Sequence, residues 1–182
     1  MTRLVSISPP GGSPAPTFEQ PFEMLHACHE RMQRMLSLLE RLRAHAAAHG
    51  VDGDVREAAR DVMRYFDLAA PHHHLDEELH VFPALRALGN PEIDTMVARL
   101  QDEHRRMDAD WQAARAVLAR LAAGGGEAPA DDEACALDRF AALYDAHIHS
   151  EEAVAYPAAA SRLDDAATRA MGEDMMRRRG AR

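Results

Sequence analysis

The chain has 182 residues, of which 47% are hydrophobic, and a formal net charge of −9 at pH 7. This length and composition are typical of one globular domain with a sizeable core. The acidic charge argues against general nucleic-acid binding. The chain contains no lysine, which excludes a Walker-type phosphate loop and Schiff-base chemistry.

The N-terminal segment is rich in Pro, Ser and Gly and has no apolar run of signal-peptide length. Residues 1–17 are therefore predicted to form a flexible leader. No stretch of the chain is apolar over the length of a membrane span. The two cysteines, Cys28 and Cys135, form neither a zinc-binding pattern nor a redox Cys-x-x-Cys. We therefore expect no membrane association and a reducing compartment, the cytoplasm.

Four long segments have the apolar periodicity of amphipathic helices, and strand patterns are absent. They are predicted at about 18–49, 52–88, 91–123 and 131–155, with Gly and Pro between them. Since short loops make helices antiparallel neighbours, we predict an all-α fold. Its body is an up-down-up-down four-helix bundle over residues 18–157. Residues 158–182 are predicted to form a short extra C-terminal helix, packed outside the bundle, and a basic tail.

The second and fourth helices carry three more specific expectations. Leu75 and Leu79 are assigned to the apolar side of the second helix. Pro71, inside that helix, removes a backbone hydrogen bond and predicts a kink. The kink could be an ordinary irregularity or could set the angle at which His73 enters the core, and the sequence leaves both open. Pro157 is predicted to end the fourth helix.

One motif occurs twice and has the pattern His-x-x-x-Glu-Glu-x-x-x-aromatic-Pro. The first motif runs from His73 to Pro83 and the second from His147 to Pro157. Another histidine precedes each copy, His29 by 44 residues and His104 by 43. A His and a Glu four residues apart lie on one face of a helix. A single copy could be a solvated helix face, but two copies with matched upstream histidines favour a duplicated helical hairpin that binds metal.

The helix lengths predict that these side chains meet in one layer of the bundle. In the first hairpin the two arms between the histidines and the loop are about 20 residues each, roughly 30 Å. Imidazole and carboxylate ligands suit iron, manganese or zinc rather than calcium. Four imidazoles and two carboxylates suit two non-haem iron ions bridged by the glutamates and by an oxo or hydroxo group, with a position left for a small diatomic ligand. The candidate metal ligands are His29, His73, Glu77, His104, His147 and Glu151.

Together these motifs resemble the hemerythrin-like (HHE) domain family over about residues 18–157. The matching segments are His29-Glu30-Arg31-Met32, Glu103-His104 and the two His-x-x-x-Glu-Glu blocks. The resemblance implies a di-iron protein that binds or reacts with O₂, NO or peroxide. Oxygen-carrying members of the family have five histidine ligands, two of them four apart on the third helix. Here Leu100 and Asp108 stand four residues from His104, so the resemblance implies sensing or redox protection rather than oxygen transport.

Other readings of the chain stay open at this point. It could store or deliver iron, or another metal, without turnover, or it could be a helical interaction module with a vestigial site. The sequence does not decide whether the protein is an enzyme, and a homodimer is compatible with it.

Several polar side chains near the motifs are also ambiguous. His26 could be a fifth histidine ligand or a more peripheral residue. Glu78, Glu103 and Glu152 could hold ligand histidines through hydrogen bonds or could be solvated charges. The remaining histidines near the motifs are expected outside the ligand set, on the surface or beside it: His72, His74, His80 and His149.

Overall fold

The computed structural model describes residues 16–181, so nearly all of the predicted leader lies outside the described residues. Within that range every regular element is helical, which confirms the all-α prediction. None of the described helices is both long enough and apolar enough to cross a membrane. The elements are α1 (Pro21–His49), α2 (Gly53–Asp76), a first π turn (Glu77–Val81), α3 (Phe82–Arg86), α4 (Pro91–Ala122), α5 (Asp131–Ala142), α6 (Tyr144–Ser150), a second π turn (Glu151–Ala155), α7 (Tyr156–Ala160) and α8 (Asp165–Arg178).

These elements form four arms and a terminal helix. The first arm is α1, the second is α2 with the first π turn and α3, and the third is α4. The fourth arm consists of α5, α6, the second π turn and α7. Consecutive arms pack on each other, α1 on α2, α2 on α4 and α4 on α5. Such contacts are expected when consecutive arms run antiparallel, and the up-down-up-down order stays a prediction.

Side-chain caps fix two helix starts where the sequence predicts them. The Asp52 carboxylate accepts a hydrogen bond of 3.0 Å from the Val55 backbone N–H, and α2 begins at Gly53, directly after Asp52. The Asn90 side chain accepts one of 2.8 Å from the Glu92 N–H, with Pro91 at the first helical position. Both arrangements satisfy N–H groups that have no partner within the helix.

Two clusters of buried apolar side chains form the core, and the motif residues lie between them. On the first arm, Leu25 belongs to one cluster and Met32 to the other, with His29 between them. On the third arm, His104 separates Leu100 from Met107 in the same way. On the second and fourth arms, too, the motif His and Glu lie between residues of the two apolar clusters. Each large apolar side chain buried stabilises the fold by about 1.5–3 kcal/mol, so the core can support a polar layer in its middle.

The assignment of Leu75 and Leu79 to the buried side of the second helix is wrong. Their relative exposures are 41% and 49%. The inward positions at this level are taken by His73 and Glu77. Leu75 lies two residues from each, about 200° away around the helix axis, so it faces outward. The prediction placed the buried face of this helix wrongly because it relied on hydrophobicity, and the side chains buried here are polar.

The two motifs share a backbone irregularity that the sequence analysis did not predict. In each copy the residues from the first Glu to the one before the aromatic form a π turn. The Phe82 N–H donates to the Glu77 carbonyl and the Tyr156 N–H to the Glu151 carbonyl, five residues back. The proline that follows has no N–H, so it stands at the start of a new helical segment, where none is needed.

The fourth helix does not end at Pro157, and the second continues through Pro71, where the kink stays a prediction. Helical structure continues past Pro157 through α7 to Ala160, because the preceding π turn re-sets the hydrogen-bond pattern. Pro71 lies within the continuous helix α2, with its side chain exposed.

The terminal helix α8 is part of the core rather than an appendage. Met171 and Met175 are fully buried in the cluster that contains Leu25. Gly172 passes so close to the Phe18 carbonyl that a Cβ would overlap its oxygen.

The end of α8 also holds a buried carboxylate at the end of α2. Asp76 is fully buried, and Arg179 donates two hydrogen bonds to it, of 2.5 and 3.1 Å. Arg178 lies 2.7 Å from the same carboxylate. The basic tail therefore pairs with the residue that directly precedes Glu77.

We expect Asp76→Asn to destabilise the fold by about 2–3 kcal/mol, because the largely buried Arg179 guanidinium loses its carboxylate partner and Arg178 keeps only Asp174. Denaturant unfolding of the metal-free protein measures this change. The matched control is Asp61→Asn, which removes an exposed pair with Arg64 and is expected to cost about 0.5 kcal/mol or less. Equal effects of the two substitutions would show that the Asp76 cluster is not a stabilising anchor.

Candidate metal centre

The six predicted ligands lie together in the middle of the bundle. None of these side chains is more than 2% exposed. Burial of two carboxylates and four imidazoles is costly unless charges and hydrogen bonds compensate for it. Two groups of donor atoms form: one from His29, His73, Glu77 and Glu151, and the other from His104, His147 and Glu151.

In the first group the imidazole Nε2 atoms face the carboxylate oxygens and each other. Nε2 of His29 is 2.9 Å from Nε2 of His73 and 3.1 Å from Oε2 of Glu151. Nε2 of His73 is 3.2 Å from Oε1 of Glu77. Ligand bonds of about 2.1 Å place neighbouring ligand atoms about 3 Å apart around a six-coordinate ion. The observed spacings fit donors that share one cation.

In the second group Nε2 of His104 and Nε2 of His147 are 3.2 Å apart. Oε1 of Glu151 lies 3.1 Å from Nε2 of His147 and 3.7 Å from Nε2 of His104. Oε2 of Glu77 lies 3.4 Å from Nε2 of His104. Each carboxylate therefore turns one oxygen to the first group and the other to the second.

Several of these buried atoms have no hydrogen-bond partner among the described residues. They are Oε2 of Glu77, both carboxylate oxygens of Glu151, and Nδ1 of His73. The three oxygens lie near imidazole nitrogens but without hydrogen-bond geometry. Such atoms are rare in protein interiors, and each needs an explanation. A cation between the oxygens and the nitrogens provides one, so the residues present fit a metal site.

Outer carboxylates fix the orientation of three of the imidazoles. Nδ1 of His29 is 2.9 Å from Glu152, Nδ1 of His104 is 3.0 Å from Glu78, and Nδ1 of His147 is 2.8 Å from Glu103. A carboxylate at Nδ1 holds the proton on that nitrogen and leaves Nε2 free to bind a metal. The three glutamates that the sequence left ambiguous are therefore hydrogen-bonded to the cluster.

Each motif also supports the upstream histidine of the other hairpin. The second motif supplies Glu152 and Tyr156 to His29, with the two rings stacked at 5.4 Å. The first motif supplies Glu78 and Phe82 to His104, with ring centroids 5.6 Å apart. The duplicated sequence thus gives a nearly two-fold arrangement in which the hairpins hold each other's ligands. The two aromatic residues differ in one atom, the phenol oxygen of Tyr156.

The buried carboxylates and imidazoles of the cluster strongly shift each other's pKa values. Burial by itself would lower the pKa of His104, but the negative charges of Glu151 and Glu77 close to its ring raise it to about 10. The same balance raises the pKa of His29 and that of His147. Burial works against the charge on Glu151, yet its three imidazole neighbours hold its pKa well below the usual range. The carboxylates therefore attract positive charge, either protons on the imidazoles or a metal cation.

Two further histidines lie beside the cluster. His26 is 45% exposed at its side chain and is 3.2 Å from Glu152, so the structure places it outside the donor groups. His74 is buried and stacks on His104, with ring centroids 4.0 Å apart. Burial lowers its pKa well below the usual range. Of the other three near the motifs, His149 is exposed, His72 is half-buried and His80 pairs with Asp174 at 2.9 Å.

Sequence reasoning missed the role of Tyr156, which it treated as a marker of the motif. The phenol donates to Oε1 of Glu77 and lies 3.2 Å from Nε2 of His29. Burial and the nearby carboxylate charges raise the pKa of Tyr156 well above its usual range, so without a bound cation the hydroxyl stays a donor. The difference between Tyr156 and Phe82 in the two motifs was the available signal.

A cavity of about 360 Å³ lies beside the second donor group. It is lined by His74, which stacks on His104, and by Asp108, Trp111 and Tyr144. Asp108 stands where the sequence analysis expected a fifth histidine in an oxygen carrier. The cavity therefore brings a partly polar space next to one half of the cluster.

An all-helical fold with a buried layer of imidazoles and shared carboxylates defines a cation-binding helical domain. The sequence matches the family described as the hemerythrin HHE cation binding domain over residues 20–159, and the chain belongs to that family. It is also similar to a protein of Haemophilus influenzae (strain ATCC 51907 / DSM 11121 / KW20 / Rd), described as an uncharacterized protein. The two are 34% identical over 136 residues, which is 75% of this chain and 77% of that protein.

Proposed function

We propose that this protein binds two non-haem iron ions and uses them to bind or react with O₂, NO or peroxide, in sensing or redox protection. His29 and His73 would hold one ion, His104 and His147 the other, and Glu77 and Glu151 would bridge them. The up-down-up-down bundle is the arrangement that we infer around them.

The observation that carries the proposal is the position of the two shared carboxylates. Glu151 has one oxygen 3.1 Å from Nε2 of His29 and the other 3.1 Å from Nε2 of His147. Glu77 spans the same gap, from His73 to His104. A single-ion site needs no such sharing. Two carboxylates that each face both donor groups favour a bridged pair, and mixed imidazole and carboxylate ligands suit iron.

The surroundings of the site favour reaction with a small molecule. When bound, a ferrous pair supplies the two electrons that, with two protons, convert O₂ to hydrogen peroxide. The apolar clusters on both sides limit access of water and larger solutes. The cavity beside His74 offers a way in for a diatomic ligand. Glu78, Glu103 and Glu152 keep three imidazoles in the orientation that binding requires.

Iron storage or delivery without turnover is the alternative. Delivery requires that the ions leave readily, yet all six ligands are buried in the core. We therefore place small-molecule chemistry first.

Protein isolated after iron-replete expression, without added metal, is expected to contain two iron ions per chain. The oxidised form should show the near-ultraviolet charge-transfer absorption of a bridged ferric pair. Metal analysis by mass spectrometry and an absorption spectrum measure both properties. One zinc ion per chain and no iron would contradict the proposal.

The reduced protein is expected to be oxidised by O₂ rather than to form a long-lived reversible adduct. The reason is that Asp108, not a fifth histidine, faces the cavity, and polar surroundings favour release of reduced oxygen. Stopped-flow mixing of anaerobically reduced protein with air-saturated buffer follows this reaction. No reaction on mixing would favour storage. A visible band that bleaches on oxygen removal over several cycles would indicate reversible oxygen binding instead.

A further inference from the structure

The two halves of the cluster differ at a pair of equivalent aromatic positions. Tyr156 follows the second motif's glutamates as Phe82 follows those of the first. Both rings are fully buried, and each stacks on the histidine of the other hairpin. Only Tyr156 brings an oxygen atom to the cluster. The near two-fold arrangement is therefore broken at the atoms that would contact a cation.

The phenol oxygen lies as close to the donor atoms as they lie to one another. Around Nε2 of His29, the nearest donor atoms are Nε2 of His73 at 2.9 Å, Oε2 of Glu151 at 3.1 Å and the Tyr156 oxygen at 3.2 Å. The phenol also contacts Oε1 of Glu77 directly. The three spacings around Nε2 of His29 match the separation of about 3 Å between neighbouring ligand atoms on one six-coordinate ion.

We propose that Tyr156 is a further ligand of the cation held by His29, His73, Glu77 and Glu151, so that the two metal positions are unequal. This inference rests on the proposed function. On binding, the phenol O–H bond breaks, the proton passes to solvent, and the oxygen lone pair binds the cation. No oxidant or reductant is required.

The two metal positions differ in how many protein ligands they have, and they therefore differ in function. The first has five protein ligands, two imidazoles, two carboxylates and the phenol, which leaves little room for an exogenous molecule. The second has His104, His147 and the shared carboxylates, with Phe82 where a phenol would stand. The cavity lies on this side, beside His74. A small ligand therefore binds at the His104 and His147 position.

The test uses the absorption and resonance Raman spectra of the ferric protein. Phenolate bound to Fe(III) gives a visible charge-transfer band and enhanced ring vibrations, which imidazole and carboxylate ligands do not give. The chain has three tyrosines, Tyr65, Tyr144 and Tyr156. We expect the wild-type protein to show the band, Tyr156→Phe to lose it, and the double variant Tyr65→Phe, Tyr144→Phe to keep it.

The double variant is the matched control, since it leaves Tyr156 as the single phenol. Tyr65 donates to the Cys28 carbonyl. The double variant also identifies the ligand should Tyr156→Phe fail to fold. A second measurement titrates the reduced wild-type protein with nitric oxide, and one molecule per chain is expected.

The outcomes separate this inference from the proposed function. Wild-type protein with two iron ions per chain but no phenolate band would overturn the Tyr156 assignment and leave the di-iron proposal intact. A band that persists in Tyr156→Phe would do the same. Two nitric oxide molecules per chain would contradict the inequality. Protein that takes up no iron would defeat the proposed function itself.

Discussion

Glu151→Ala is expected to remove most of the bound metal from both halves of the centre. The reason is that the Glu151 carboxylate takes part in both donor groups. Its carboxylate faces His29 on one side and His147 on the other, at 3.1 Å each. Loss of this group removes one ligand from each position and half of the bridging charge. Metal analysis after iron-replete expression and desalting measures the loss.

The neighbouring residue provides a matched control. Glu152 is hydrogen-bonded to His29 at Nδ1, on the side of the ring away from the donor group. Glu152→Ala is therefore expected to weaken binding by about 10–100-fold, so that metal is retained at high concentration and lost on dilution. Far-ultraviolet circular dichroism of both variants shows whether the helices remain.

The first motif offers the same comparison. Glu77 spans the two groups, whereas Glu78 holds His104 at Nδ1. Glu77→Ala is expected to behave like Glu151→Ala, and Glu78→Ala like Glu152→Ala. Equal metal content in all four variants would refute the assignment of bridging and outer carboxylates.

Local rules predicted much of the fold from the sequence. Apolar periodicity and the Gly and Pro breakers between segments predicted the arms and most of their ends. The count of residues along each arm placed the motif histidines at one level. This works because a helix rises by a constant amount per residue. The duplication made the six polar candidates stand out.

The remaining features of the fold and the site depend on contacts that the spacing of apolar residues does not describe. The π turns follow from the prolines after each motif, and they let helical structure continue beyond Pro157. Leu75 and Leu79 were misplaced because polar side chains occupy the buried face there. The positions of His74 and Tyr156 beside the cluster could not be predicted, because their contacts are with residues on arms distant in the chain. The crossed support between hairpins was likewise visible only in three dimensions.

Acid is expected to release the metal before it unfolds the helices. Protons and the cation compete for the same Nε2 atoms, because an imidazole must be neutral to bind a metal. The carboxylates that attract the cation also favour protonation, and they raise the pKa of His104 to about 10. In the metal-free protein a proton competes with the cation at His104 at every pH below about 10, and metal affinity is expected to fall further as the pH drops and more imidazoles are protonated.

At His104, the folding stability of the metal-free protein changes with pH in the opposite direction to metal affinity. His104 has a folded-state pKa above its unfolded value of about 6.5. Its contribution to folding stability is therefore fully present below about pH 6.5 and is lost as the pH rises through about 10. His73 and His74 act in the opposite sense. Burial lowers their pKa values well below the usual range, so their contributions are fully present above the unfolded value of about 6.5 and are lost as the pH falls from there through the lowered values. A window of mild acidity follows in which the metal leaves while the apolar core keeps the helices folded.

A titration from pH 8 to pH 4 tests this order of events. Absorption of the metal centre reports release, and far-ultraviolet circular dichroism reports helix content. We expect the first midpoint at a higher pH than the second, and recovery of the absorption when iron is added after return to pH 7. Protein stripped with a chelator at pH 7 is the control and should keep most of its helix content, because the two apolar clusters do not include the ligands. A single transition, with metal loss and unfolding at the same pH, would mean that the metal centre rather than the core holds the bundle together.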